Sequence, residues 1–465
     1  MENYAALILA AGKGTRMKSA LCKVLHAVAG SPMIQYVVEA VNEAGFRKIV
    51  LVVGHQADEV RECMREPHLE FAVQEPQLGT GHAVAAARRL FENYSGNIFI
   101  LCGDVPLIQP STMARFVHFH EEASSRLTVM TTFPKCPDGY GRIVRDDSGS
   151  VIRIVEERDA DEEQKRIREI NTGIYLVRKD LLFSLLESVG ADNAQNEYYL
   201  TDIVREAVVR SIPVKAFVLE NDDEASGINT RADLARVSAI MWARRRDELM
   251  ASGVTLLDPS SVYVDATVRI GPDTVVHPGV TISGKTAIGS SCTIESGVYI
   301  LNSKLGDGVK VLQGSRIDTA EIDDGTSVGP MAHLRPESRI GKRARVGNFV
   351  EVKKSVLGDG TKASHLTYLG DSTIGKDVNI GCGTITCNYD GKHKHPTIIG
   401  DRCFVGSDVQ FVAPVEIGEE SLIGAGSTIT KDVPPGTLAL SRAKQKMYPL
   451  RKSQGQKRAD EDRES

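Results

Sequence analysis

Residues 399–429 read IGDRCFVGSDVQFVAPVEIGEESLIGAGSTI, in which Ile399-Gly400, Val405-Gly406, Ile417-Gly418 and Ile423-Gly424 repeat an aliphatic residue followed by glycine on a six-residue period. The same pair recurs upstream at Ile270-Gly271, Ile288-Gly289, Leu305-Gly306, Ile340-Gly341, Val346-Gly347, Ile374-Gly375 and Ile380-Gly381. A period of this kind gives each side of a coil one inward aliphatic side chain. Stacked coils then bury a continuous apolar column, which is the logic of a parallel β-helix beginning near Val254. The period does not determine the hand of the coil. The rhythm is interrupted near Gly314 to Arg316 and again at Asp390 to His395, and both stretches are expected to leave the coil as loops, where sites tend to form.

Upstream the pattern is different. Tyr4 to Leu9, Ile49 to Val53, Ile98 to Leu101 and Leu127 to Thr131 are short, almost continuously apolar runs separated by amphipathic stretches. Such runs fit strands covered by helices on both faces, so an α/β, doubly wound and mostly parallel sheet is expected over residues 1–228. Leu234, Val237, Ile240 and Met241 recur at helical spacing and predict a linking helix over 229–252. The coil is expected over 253–443, and the polar tail 444–465 is expected to be disordered.

A chain of 465 residues calls for more than one core. No apolar run approaches the roughly 18 residues needed to span a bilayer, and the N-terminal segment MENYAALILAAGKG lacks the basic start of a signal peptide. A cytoplasmic protein without a membrane partner is expected. Net charge of −5 argues against a broad nucleic-acid surface, so an anionic substrate must be held by local cations and backbone N–H groups. Eight irregularly spaced cysteines without a CxxC pair predict free thiols.

Leu9-Ala10-Ala11-Gly12-Lys13-Gly14-Thr15-Arg16-Met17 follows the first strand directly, with Lys23 just beyond. Glycines let backbone turn closely around phosphate oxygens, whose charge Lys13, Arg16 and Lys23 can balance; a plain glycine-rich turn is the alternative. Met17 stands where a dinucleotide fingerprint needs glycine, and the spacing is not that of a P-loop. A P-loop pattern does occur at Gly279 to Thr286, but inside the repeats with no helix to follow, and it is rejected. Asp104 ends the run Ile98 to Gly103 at the carboxyl edge of the sheet, where it reads either as a magnesium ligand or as a turn aspartate before Pro106.

Together the LAAGKGTRM segment with Lys23, Gln74 ahead of Leu78-Gly79-Thr80-Gly81-His82, Gly103-Asp104, Tyr140-Gly141-Arg142-Ile143, Glu156, Asn171-Thr172-Gly173 and Asn229 resemble a sugar-nucleotide pyrophosphorylase. Over nearly the whole chain the resemblance is to the bacterial bifunctional N-acetylglucosamine-1-phosphate uridylyltransferase/glucosamine-1-phosphate acetyltransferase family. It implies a left-handed coil, UTP and N-acetylglucosamine-1-phosphate as substrates, and a nucleotide and sugar site built from Leu9, Ala10, Ala11, Gly12, Lys23, Gln74, Gly79, Thr80, Cys102, Gly103, Asp104, Gly141, Glu156, Asn171 and Asn229. Uracil is implied near Gln74 and Gly79-Thr80, sugar contacts at Gly141, Glu156 and Asn171, Mg2+ on Asp104 and Asn229, and charge stabilisation by Arg16 and Lys23.

Ala363 to Gly370 breaks the repeat around His365, and an imidazole is the side chain suited to taking a proton from an amine near neutral pH. With it, Arg335, Lys353, Tyr368, Asn379, Asn388 and Tyr389 resemble the acetyltransferase half of the same family. There the resemblance implies that Arg335, Lys353, Tyr368 and Asn379 hold glucosamine-1-phosphate, that Asn388 and Tyr389 contact the amino sugar or acetyl group, and that His365 is the general base, with Glu351 a candidate to orient it. Cys382, Ser407, Ala425 and Arg442 are implied to line an acetyl-CoA site, and a homotrimer is expected. The sequence departs from the family pattern at Cys22, His333, Ser364 and Cys382. Competing readings are a pyrophosphorylase whose β-helix only regulates or oligomerises, a non-catalytic scaffold, and a metal-dependent β-helix hydratase, for which His333, His365, His393 and His395 lack the triad pattern.

Overall fold

The computed structural model describes residues 3–449, and the last part of the expected tail, 450–465, lies outside the described residues. The chain divides into two compact units, the first running to Asp247 and including Val264–Ala266, the second formed by the rest.

The first unit is built on a nine-stranded sheet whose main path runs Val214–Val218, Leu127–Thr132, Ile170–Arg178, Asn97–Cys102, Tyr4–Leu9, Lys48–Val53, Leu69–Val73. The four expected strands form within a residue of the expected bounds, because apolar runs of that length can be buried on both sides only in a sheet interior. Tyr4–Leu9 pairs in parallel with both Lys48–Val53 and Asn97–Cys102. Strand order therefore reverses on its two sides, and the crevice beyond its carboxyl end is a topological switch point. Ile170–Arg178 runs antiparallel to both neighbours, and Arg142–Arg145 with Val151–Val155 adds an antiparallel hairpin.

The expected linking helix forms over Arg231–Ala251. It is not a free connector: Val237 is fully buried in the core of the first unit, and Leu234, Ile240 and Met241 pack against that core. The division between the units therefore falls inside the helix, after Asp247, rather than at residue 228.

The second unit consists of three parallel sheets of 11, 10 and 9 strands, each strand two to four residues long and paired with its equivalents one coil away. Val328, Val346, Ala363, Ile380, Val405 and Ile423 stack as one buried inward column. Each such aliphatic contributes about 1.5–3 kcal/mol through burial, Ala363 less, so the repeat is what holds this unit together. Gly314 to Arg316 does not leave the coil. Gly314 takes a left-handed corner (φ 66), with Met331 of the next coil lying over it. Asp390 to His395 does leave it, and pairing across that insertion skips 25 residues, as in Thr373 to Ile398, instead of 17 or 18. The rejected P-loop match is strand Thr281–Ser283 followed by another strand. All eight cysteines are free.

Candidate active sites

In the first unit the loop after Tyr4–Leu9 and the end of Asn97–Cys102 meet because those strands pair in register, Leu9 opposite Cys102. A cavity of about 470 Å³ opens there, lined by Leu9, Ala10, Ala11, Gly12, Lys13, Lys23, Gln74, Gly79, Thr80, Cys102 and Asp104, together with Val24, Gln77, Ala83 and Glu197. Gly103 is held beneath it, donating its N–H to the Leu9 carbonyl. Gly79 is required as glycine: its φ is 105, and a Cβ would sit 2.7 Å from the Tyr198 carbonyl.

Lys23 bridges the cavity floor. Its ammonium pairs with Asp104 and donates to Asn229 Oδ1 at 2.7 Å, while Arg16 donates to the same Oδ1 at 2.8 Å. Two oxygen ligands thus converge on one cationic point. Among the described residues no group of three or more His, Cys, Asp or Glu side chains is placed to hold a metal ion. Mg2+ needs none, since it binds through one or two carboxylates and the substrate's own phosphates, and this oxygen set fits it.

A second cavity of about 600 Å³ shares Glu197 with the first and is lined by Arg16, Gly139, Glu156, Arg158 and Tyr199 among others. Burial raises the Glu156 carboxyl above its ordinary value, opposed by a 3.1 Å hydrogen bond from the Thr201 hydroxyl. Gly141 lies beside it, where a Cβ would come within 3.6 Å of the Glu156 carboxyl carbon, and its carbonyl accepts from Asn171 N–H. Asn171 is buried, donating to Tyr175 and accepting from Gly173 N–H, so it joins the set through backbone and hydrogen bonds rather than as a cavity wall. Cys22 is buried and its thiol is pushed up by desolvation, which suits a packing role.

In the second unit, parallel pairing places Arg335, Glu351 and Tyr368 on neighbouring coils. Arg335 donates to Glu351 at 2.8 Å, so Glu351 is engaged by the guanidinium rather than by His365. His365 is exposed, ends strand Lys362–His365 and lies in register with Asn348. Asn388 is buried and donates to Asp371 at 2.5 Å and weakly to Tyr368 at 3.5 Å, while Tyr389 projects into solvent with its hydroxyl on the Gly391 carbonyl. Asn379 pairs with Lys362 of the His365 strand. Cys382, Ser407 and Ala425 occupy one corner on three successive coils, linked through Asp408 N–H to Cys382 O and Gly426 N–H to Ser407 O, and Arg442 reaches back to the Ala425 carbonyl at 2.9 Å. His333 lies in register with Glu351, its imidazole shifted down by burial.

Lys394 was not expected. It sits in the Asp390 to His395 excursion, which is tied down by Asp390 accepting from the Lys392 and His393 N–H groups and pairing with His395. Contact with Lys394 holds the Lys353 ammonium below its ordinary value, with desolvation next and Arg335 adding to it. Lys353 and Lys394 thus lie together near Arg335, with Glu351 paired to the guanidinium and Asp371 partly offsetting the charge on Lys353. The signal available in sequence was the break in the repeat itself.

Residues 5–242 match the nucleotidyl transferase family, and residues 396–431 match the bacterial transferase hexapeptide family. Over 446 residues the chain is 53% identical to the bifunctional protein GlmU of Pelobacter propionicus, covering 96% of this chain and 97% of the relative. The chain belongs to the GlmU family. The GlmU protein of Listeria monocytogenes is 47% identical over the same shares of both chains, so the likeness spans both units. This GlmU-family chain is a bifunctional transferase, with a nucleotidyl transferase unit and a left-handed β-helix of hexapeptide repeats. Among the described residues no helix is long and apolar enough to cross a membrane.

Proposed function

We infer that the two units catalyse successive steps in making UDP-N-acetylglucosamine, and the observation that carries this is the match to bifunctional GlmU relatives across both units, beside a strand-end cavity in the first and the Arg335–Glu351 face of the coil in the second. In the second unit glucosamine-1-phosphate is acetylated. Its amine nitrogen attacks the acetyl-CoA carbonyl carbon, the carbon–sulfur bond breaks, and His365 takes the amine proton. The thioester is already activated, so no side-chain nucleophile is needed. Arg335, Lys353 and Lys394 are positioned to hold the phosphate, Tyr368, Asn379 and Asn388 the sugar, with Tyr389 at the rim. Acetyl-CoA is assigned to the Cys382, Ser407, Ala425 and Arg442 corner. Replacing Lys394 with alanine should raise KM for glucosamine-1-phosphate about tenfold, as loss of one charge-assisted contact implies, with little change in kcat; a normal KM would remove Lys394 from the site.

In the first unit a phosphate oxygen of N-acetylglucosamine-1-phosphate attacks the α-phosphorus of UTP, and the bond to the β-phosphate breaks as pyrophosphate leaves in line. Backbone from Leu9 to Gly12 cradles the phosphates, Gln74, Gly79 and Thr80 receive uracil, Gly141, Glu156 and Asn171 receive the sugar, and Lys23 and Arg16 stabilise charge. Mg2+ would be held by Asp104 and Asn229 Oδ1, where it supplies charge neutralisation on the phosphates.

A homotrimer is supported by the corner stripe Met331, Phe349 and Leu366, three large apolar residues exposed in left-handed backbone. Gly297 and Gly314 hold the same corner in earlier coils without that strain. A non-glycine residue there costs on the order of 1 kcal/mol or more, and exposure returns nothing, whereas cover by another copy would. Sedimentation of the intact chain should give three times its monomer mass; a monomeric mass would overturn the assignment.

Mixing the chain with glucosamine-1-phosphate, acetyl-CoA, UTP and magnesium should yield UDP-N-acetylglucosamine, CoA and pyrophosphate. Formation of pyrophosphate only when acetylated sugar is supplied would instead favour a pyrophosphorylase with a non-catalytic β-helix.

A further inference from the structure

The Gln74 carboxamide is held in one orientation. Its Nε2 lies 2.9 Å from the Gly79 carbonyl and 3.2 Å from His82 Nδ1. A carbonyl oxygen can only accept, so the amide atom facing it must be nitrogen, and with both its hydrogens used the His82 Nδ1 must be the second acceptor. The imidazole proton then sits on Nε2. Gln74 is buried and lines the nucleotide cavity, and among the described residues no donor reaches its Oε1. The imidazole, which takes the second of these hydrogens, sits on a backbone tied to Tyr198. Gly81 N–H donates to the Tyr198 carbonyl at 2.7 Å, Tyr198 N–H donates to Leu78 O at 2.8 Å, and the His82 and Tyr198 rings are 6.5 Å apart.

We propose that His82 is a specificity-determining positioning residue, which locks the Gln74 amide so that an acceptor alone faces the base and uracil is selected over cytosine. The proposal rests on the reading that Gln74 meets the base. Uracil carries a hydrogen on ring N3 and can donate to Oε1. Cytosine carries a lone pair there, so the two acceptors would face each other across a desolvated contact. A site built to complete one hydrogen bond rejects the analogue that cannot supply it. If the amide were free to turn, Nε2 could donate to the cytosine N3 and the penalty would fall.

The test is the ratio of kcat/KM for UTP to that for CTP, with N-acetylglucosamine-1-phosphate as acceptor and thermal melting as the control for folding. His82→Phe keeps the bulk and removes the acceptor, and should lower the ratio about tenfold, the scale of one hydrogen bond. His82→Asn, whose side-chain oxygen can occupy the position of Nδ1, should keep it. Gln74→Ala should collapse the ratio. If His82→Phe slows both nucleotides in the same proportion while Gln74→Ala collapses the ratio, His82 only packs and the proposal fails, with the placement of uracil intact. Collapse in both His82 variants also overturns it, because the acceptor would then not be the cause. An unchanged ratio in Gln74→Ala overturns the placement of uracil and the proposal together.

Discussion

Asp104→Ala should lower magnesium-dependent uridylyl transfer by on the order of 10³-fold, the rate equivalent of several kcal/mol of charge stabilisation, and leave acetyl transfer unchanged. Among the described residues the carboxylate is the one anionic oxygen paired with Lys23 at the floor of the nucleotide cavity, and Asn229 supplies only a neutral oxygen beside it. Without it, two cations, Lys23 and Arg16, face Asn229 alone. The backbone should hold, because the Asp104 carbonyl, which accepts from Ile228 N–H at 3.0 Å, is untouched by the substitution. The measurement is pyrophosphate release across a magnesium titration. A near-normal rate at ordinary magnesium would refute the assignment, and recovery only at high magnesium would place the loss in metal affinity.

His365→Ala should abolish most acetyl transfer, by about 10²- to 10⁴-fold as expected for a lost general base, with uridylyl transfer at the parent rate. The residue is exposed, and it is held through its backbone, in register with Asn348 and with its carbonyl accepting from the Thr367 hydroxyl at 2.7 Å. Removing the imidazole leaves these backbone bonds in place, and the inward neighbours Ala363 and Leu369 keep the coil packed. Assaying CoA release and pyrophosphate release on one preparation separates the outcomes. Equal loss of both would indicate a damaged fold, and retained acetylation would mean that proton removal is carried elsewhere.

The coil was legible because its signal is local and repeated. Each aliphatic residue faces inward by the same periodic geometry, and one failure, at Gly314 to Arg316, came from reading a missing aliphatic pair as a loop when a glycine corner under Met331 kept the coil going. The strands around Tyr4–Leu9 were legible for the same reason, as runs too apolar to lie anywhere but a covered sheet. The helix Arg231–Ala251 was legible as a helix, but not as part of the first unit, because its spacing shows an apolar face without saying what covers it. Lys394 was missed because an isolated lysine in a polar stretch carries no pattern; its meaning lies in the neighbouring Lys353 and Arg335.

Period and motif by themselves determined two architectures and the glycine-rich turn after the first strand, since these depend on near neighbours along the chain, whereas most residues proposed for the two sites came from the family resemblance. Only the tertiary structure decided which partner each polar group takes. Lys23 meets an asparagine 206 positions away, Glu351 turns to Arg335 instead of His365, and Gln74 spends both amide hydrogens on Gly79 and His82. Hydrogen bonds and ion pairs are short-ranged and directional, so their pairing is fixed by where folding brings the backbone, and sequence spacing carries no record of it.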